Sequence, residues 1–211
     1  MLGRIAVLAS GGGTNLQAIL DACARGDIPG EVVCVVYDRK KAYARVRAEQ
    51  AGVPARYINK LQFDSPEAHD AALLACLKEF DAQVVALAGY LGILGPQTVG
   101  AYRNRILNTH PALIPSFCGM GFHGEHVHQA VLDFGAKVSG CTIHFADEGV
   151  DAGPIVFQEA VPVLPTDTAE TLAARILPHE HALLTRAVCL LCQERIQVEG
   201  RQVAILEQPA K

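Results

Sequence analysis

The chain has 211 residues, half of them apolar, which is long enough for one substantial α/β domain expected to fold unaided. Its net charge of -4, its pI near 6.0 and a densest basic run of only Asp38-Arg-Lys-Lys41 argue against an extended nucleic-acid surface, while leaving room for small anionic ligands. No apolar stretch approaches the length of a membrane span, and Gly3 to Ser10 leads straight into a glycine loop rather than a signal-peptide pattern, so a cytoplasmic protein without membrane contact is expected.

In chain order, Ile5 to Ala9 reads as a short apolar strand, Ser10-Gly-Gly-Gly-Thr-Asn15 as a turn, and Leu16 to Ala24 as a helix. A second buried strand is expected over Val32 to Tyr37, a helix over Ala42 to Ala51 ending at Gly52, a brief strand over Ala55 to Ile58, and a helix over Pro66 to Phe80 with proline near its start. Strands at Gln83 to Ala88 and Ile106 to Asn108 flank a helical segment that Pro96 opens. This alternation predicts a Rossmann-like α/β fold, its central sheet mostly parallel with helices on both faces. Lys137 to Phe145 and Ile155 to Val163 are strand-like with no helix between them, so the C-terminal part is expected to be antiparallel. A last helix from about Thr168 to Gln193 contains Pro178, which should kink or split it, and Glu199-Gly200 looks like the turn of a terminal hairpin. With no repeat, low-complexity block or long linker, residues 1–211 read as a single domain.

Strand side chains alternate faces, so in Arg105-Ile-Leu-Asn-Thr-His-Pro111 the side chains of Asn108 and His110 point the same way and Thr109 points away. Proline keeps the residue before it out of the α region, which holds His110 extended at the strand end. By itself each group has a plain use: the strand-end polar groups can satisfy local backbone, and Asp151 of Asp151-Ala-Gly-Pro154 can build a turn. Together Asn108, His110 and Asp151 suggest acyl transfer, with an amide to hold an oxyanion, an imidazole to move a proton, and a carboxylate expected to raise the imidazole's pKa. The glycine loop Gly11-Gly-Gly-Thr-Asn15 opens a helix, a design that suits a phosphate. It lacks glycine at Leu16 and any Gly-Lys-Ser/Thr, so it is neither a dinucleotide fingerprint nor a P-loop; a monophosphate fits, and so does a tight turn without a ligand. Phe122-His-Gly-Glu-His-Val-His128 invites a metal reading but fixes no tetrahedral set, so no metal is expected. Seven cysteines, an odd number without paired spacing, read as reduced core thiols, including Cys189-Leu-Leu-Cys192; Cys118 and Ser116 have no partner pattern as nucleophiles.

With these residues in view, the chain resembles the phosphoribosylglycinamide formyltransferase family over nearly its whole length. The motifs are Ser10-Gly-Gly-Gly-Thr-Asn-Leu-Gln-Ala18, Leu87-Ala-Gly-Tyr-Leu91, Leu107-Asn-Thr-His-Pro-Ala-Leu-Ile-Pro115, Val138-Ser-Gly-Cys-Thr-Ile-His-Phe145 and Gly149-Val-Asp-Ala-Gly-Pro-Ile155. The resemblance implies transfer of the formyl group of 10-formyltetrahydrofolate, as co-substrate and without a metal, to the primary amine of glycinamide ribonucleotide in purine biosynthesis. It implies Asn108, His110 and Asp151 as the catalytic group. It places the ribonucleotide on Gly13, Thr14, Asn15 and Glu180, and the folate on Leu91, Gly92, Ile93, Leu94, Asn108, Asp147 and Val150. Partners are then small molecules, not nucleic acid, and a homodimer is left open.

The chain departs from the resemblance at Pro66 and Gly92, where better-known members carry arginines near the folate tail. It also departs in a longer Ser116 to Gly124 stretch, and at Leu177 and Pro178 beside Glu180. Alternatives are a formyl-folate enzyme with another acceptor, including a formyltetrahydrofolate hydrolase, and a non-catalytic folate- or phosphate-binding module. A methionyl-tRNA formyltransferase is expected to add an RNA-binding domain and a hydrolase an N-terminal regulatory domain, and neither pattern is seen.

Overall fold

The structure, a computed structural model, describes residues 3–208. The first half alternates as expected: β1 (Gly3–Ala9), α1 (Thr14–Arg25), β2 (Gly30–Tyr37), α2 (Ala44–Gln50), β3 (Ala55–Tyr57), α3 (Pro66–Glu79), β4 (Val84–Leu87), α4 (Pro96–Ala101) and β5 (Ile106–His110). Then come α5 (Glu125–Asp133), the pair β6 (Val138–Phe145) and β7 (Ile155–Pro162), the long α6 (Ala169–Cys192), and a hairpin of β8 (Ile196–Glu199) and β9 (Gln202–Ile205). Seven strands form one sheet in the order β3-β2-β1-β4-β5-β6-β7; the first five are parallel, and β6 and β7 are antiparallel to their neighbours.

Both faces of the sheet are buried, and the period of two divides each strand between them. Ile5, Val7 and Ala9 join one core with Leu16 and Ile19 of α1 and Leu172, Ile176 and Leu184 of α6. Ala6 and Leu8 face the other, with Leu73 and Leu77 of α3 and Tyr102. Local chemistry sets the helix ends. Ser65 Oγ accepts from the Ala68 N–H at 3.1 Å and Pro66 occupies the first turn of α3, while Gly26 in the left-handed region closes α1 through its N–H to Cys23 O at 3.0 Å.

Of the kink or split expected at Pro178, the split does not occur: α6 runs unbroken through it. A proline removes a single backbone donor, while Leu172 and Ile176 before it and Leu183, Leu184 and Val188 after it keep one apolar stripe against the core. The tertiary packing on both sides outweighs the local penalty.

The chain winds outward from β1 through β2 and β3, then returns to place β4 on the other side of β1. At that reversal the loops leaving the carboxyl ends of β1 and β4 diverge and open a crevice. The two loops are tied at their bases, where Ser10 N–H donates to Gly89 O at 3.2 Å and Leu91 N–H to Ser10 Oγ at 2.8 Å. The far end of the second loop is fixed by Asp70 of α3. Its buried carboxylate accepts from Gln97 N–H at 2.8 Å, Thr98 N–H at 3.1 Å and the Thr98 hydroxyl at 2.6 Å. A Cβ at Gly95 would overlap that carboxylate.

Candidate active site

β5 presents its side chains as the alternation predicted. Thr109 turns away to donate its hydroxyl to Glu180 Oε2 at 3.3 Å, while Asn108 and His110 converge with Asp151 on the other side. Asp151 adopts a left-handed backbone with φ 53°. Its Oδ2 lies 3.5 Å from His110 Nδ1 and accepts from the Gly119 N–H at 3.0 Å, and its Oδ1 is 3.5 Å from Asn108 Nδ2.

A fourth group completes the cluster. His144 sits directly across from Asn108 in the β5–β6 register, with its Nε2 3.0 Å from Asn108 Nδ2 and 3.7 Å from Asp151 Oδ1. In the sequence His144 stands inside Val138 to Phe145 with no local feature that marks it for a role. The signal was available only through antiparallel pairing, since residues 108 and 144 are neighbours in register, not in sequence. Its Nδ1 is 2.9 Å from the Phe145 carbonyl, an acceptor only, so Nδ1 carries the proton and Nε2 can accept from Asn108. One amide hydrogen of Asn108 is thereby engaged. The other, directed at Asp151 across 3.5 Å, is weakly held.

His110 is 3 % exposed. The carboxylate beside it was expected to raise its pKa, and the net shift is instead downward. Burial disfavours the imidazolium most strongly, and the upward pulls of Asp151 and the Phe117 carbonyl, opposed in turn by His144, do not reverse it. A separation of 3.5 Å is too long for a strong charged hydrogen bond, which explains why desolvation wins. Burial pushes Asp151 up, but the His144 ring beside it, the hydrogen bond from the Gly119 N–H and the nearby His110 imidazole leave its pKa below the usual carboxylate range. At neutral pH the site therefore holds an ionised carboxylate beside an uncharged His110.

These groups open onto a cleft of about 560 Å³ at the crevice between the β1 and β4 loops. One end is polar, with Asn15, Thr109 and Glu180; Asn15 Nδ2 donates to Glu180 Oε2 at 3.2 Å. Burial raises the pKa of Glu180 despite the hydrogen bonds from Asn15 and Thr109. The other end is lined by Leu91, Gly92, Ile93 and Leu94 on one side and Asp147 and Val150 on the other, with Ile93 and Val150 partly open to solvent at its mouth. A Cβ at Gly92 would come within 2.6 Å of the Tyr90 ring, which takes that space.

Gly13 and Thr14 do not line this cleft, although Asn15 does. Gly13 serves the loop's shape: it precedes α1 with φ 71°, and a Cβ there would lie 2.9 Å from Ala44. The loop's carbonyls are tied back to α2, Gly12 O by Arg47 Nε at 2.8 Å and Gly11 O by the Ala44 N–H at 3.1 Å. Sequence reasoning missed Arg47 because nothing local marks an arginine on one helix as the partner of a loop preceding another.

Of the three histidines that invited a metal reading, His123 and His126 meet edge to face, and His128 is buried against the cleft with its Nδ1 unpartnered. Among the described residues no group of three or more His, Cys, Asp or Glu is arranged to hold a metal ion. The Cys118 S–H donates to Pro115 O at 3.3 Å, and burial and Asp151 raise its pKa, so its thiol is not activated. Cys189 donates to Asp27 O at 3.2 Å, while burial pushes Cys192 up to about 12, in keeping with packing rather than redox use. No helix among the described residues is long and apolar enough to cross a membrane.

A ligand crevice at the strand-order reversal, with an amide, two imidazoles and a carboxylate at its centre and no activated nucleophile, defines an enzyme suited to direct group transfer. The chain belongs to the formyl transferase family, whose profile matches residues 3–188. It is 40% identical over 193 residues to the chloroplastic phosphoribosylglycinamide formyltransferase of Vigna unguiculata, covering 92% of this chain and 62% of that protein. It is 36% identical over 196 residues to the phosphoribosylglycinamide formyltransferase of Haemophilus influenzae, covering 93% and 90%. The crystal structure of glycinamide ribonucleotide transformylase 1 from Symbiobacterium toebii superposes with a TM-score of 0.92 at 47% identity, over 98% of this chain and 95% of that one.

Proposed function

We propose that this protein transfers the formyl group of 10-formyltetrahydrofolate to the primary amine of glycinamide ribonucleotide. Proteins bearing that activity in their names align with most of this chain. The observation that carries the reading is the meeting of Asn108, His110, His144 and Asp151 in the lining of one cleft that also holds the polar Asn15 and Glu180 and the segment Leu91 to Leu94. The polar end, with Asn15 and Glu180 and with the glycine loop beside it, suits a ribonucleotide, and the apolar end suits a pterin.

In this reaction the substrate amine attacks the formyl carbon, the carbonyl oxygen becomes an oxyanion, and the bond from carbon to N10 of the folate breaks. The nitrogen that attacks loses a proton and N10 gains one. The weakly held amide hydrogen of Asn108 is available to the oxyanion, while the other hydrogen, on His144, fixes the amide's plane. His110, uncharged before reaction, takes and returns the proton, and Asp151 stabilises the imidazolium formed in between. No enzyme nucleophile is required, in line with the unactivated Cys118.

The test is release of tetrahydrofolate from 10-formyltetrahydrofolate by purified protein, with and without glycinamide ribonucleotide. Release dependent on the ribonucleotide is expected. Release without any acceptor would mean a hydrolase, and none under either condition would refute both readings.

A further inference from the structure

His110 and Asp151 are both held from one short stretch of backbone. The Phe117 carbonyl lies 2.8 Å from His110 Nε2, and the Gly119 N–H donates to Asp151 Oδ2 at 3.0 Å. A carbonyl can only accept, so an uncharged His110 that keeps this bond has its proton on Nε2 and its lone pair on Nδ1, facing Asp151 at 3.5 Å. Whichever way this stretch of backbone sits therefore decides where the catalytic imidazole can receive a proton.

That conformation is not a relaxed one. Phe117 has φ 51°, a region disfavoured for a bulky side chain and kept only where the surroundings enforce it. On one side the Ser116 N–H donates to Leu113 O at 2.9 Å. On the other, the Phe117 side chain packs against the first core and its ring meets Phe134 edge-on, with centroids 5.8 Å apart and planes at 77°. Phe134 follows the last turn of α5, belongs to neither core, and is 81% exposed.

We propose that the Phe117–Phe134 stack is a positioning device for the catalytic pair, holding the Phe117 carbonyl and the Gly119 amide where they fix the proton of His110 on Nε2 and aim Asp151 at Nδ1. The inference rests on His110 as the proton-transfer group. A proton accepted at Nδ1 then gives an imidazolium whose two N–H groups face Asp151 and Phe117. The other groups around His110 are its strand neighbour Asn108, His144 of β6 and the buried His128 of α5. The Phe117 carbonyl is the nearest hydrogen-bond partner on its Nε2.

The experiment is imidazole nitrogen NMR of histidine-labelled protein without ligand at neutral pH, with His110 assigned from His110→Gln, for the wild type, Phe134→Ala and Phe134→Tyr. The wild type is expected to show Nε2–H at His110, Phe134→Ala a mixture containing Nδ1–H, and Phe134→Tyr, which keeps the ring, the wild-type pattern. In parallel, kcat should fall about threefold to tenfold in Phe134→Ala with both KM values unchanged, the scale of one aromatic pair. Because Phe134 is so exposed, the substitution leaves the cores intact. An unchanged Nε2–H signal in Phe134→Ala would overturn the proposal. Absence of formyl transfer by the wild type would instead refute the proposed function, and the NMR result would still decide whether the stack sets the tautomer.

Discussion

Asp70 offers the sharpest energetic test of how the fold shapes the cleft. It is 2% exposed and accepts from Gln97 N–H at 2.8 Å, Thr98 N–H at 3.1 Å and the Thr98 hydroxyl at 2.6 Å, closing the start of α4 just beyond Leu91 to Leu94. Asp70→Ala removes both acceptor oxygens, and with them all three hydrogen bonds. A lost helix cap costs about 1 kcal/mol and each buried donor left unpaired about 1–3 kcal/mol, offset in part because a carboxylate no longer has to be buried; the net is roughly 2–4 kcal/mol. For a chain of this size that is a fall in Tm of roughly 4–16 °C. Asp70→Asn keeps an uncharged acceptor and should lose about half as much. Thermal unfolding followed by near-UV circular dichroism measures the stability, and the KM for 10-formyltetrahydrofolate measures the loop. A Tm for Asp70→Ala within about 1 °C of the wild type, or an Asn variant as damaged as the Ala variant, would show that the carboxylate does not hold this loop.

Asn108→Ala and His110→Ala should each lower kcat about a hundredfold or more with little change in folate binding, read by steady-state kinetics beside equilibrium titration; wild-type turnover in either would remove that residue from the mechanism. Arg47→Ala frees the Gly12 carbonyl and should raise the KM for the ribonucleotide several-fold while leaving that for the folate alone. Glu180 is buried with its pKa raised above 4.5, so keeping it ionised in the fold is unfavourable. The stability it contributes in its protonated form is full below its unfolded pKa and is lost as pH rises through its folded pKa. Glu180→Gln should therefore melt higher than the wild type near pH 7 but not near pH 4, and should bind the ribonucleotide more weakly; equal melting temperatures at both pH values would contradict the shift.

The alternation of strands and helices is legible in the chain alone, because apolar runs of strand length and amphipathic helices with proline or serine at their starts are local features. So is the fact that Asn108 and His110 share a face and Thr109 does not, since the period of a strand is a property of the backbone. Tertiary structure decided the rest. Only the β5–β6 register brings His144 against Asn108, and only the packing of α2 on the β1 loop brings Arg47 to Gly12. The sign of the His110 shift needed a burial and a distance, two quantities that a carboxylate's presence in the sequence does not supply. Pro178 illustrates the same division: its local penalty is legible in the chain, but whether the helix breaks depends on how much apolar surface the turns on either side bury, and that is settled by packing at long range.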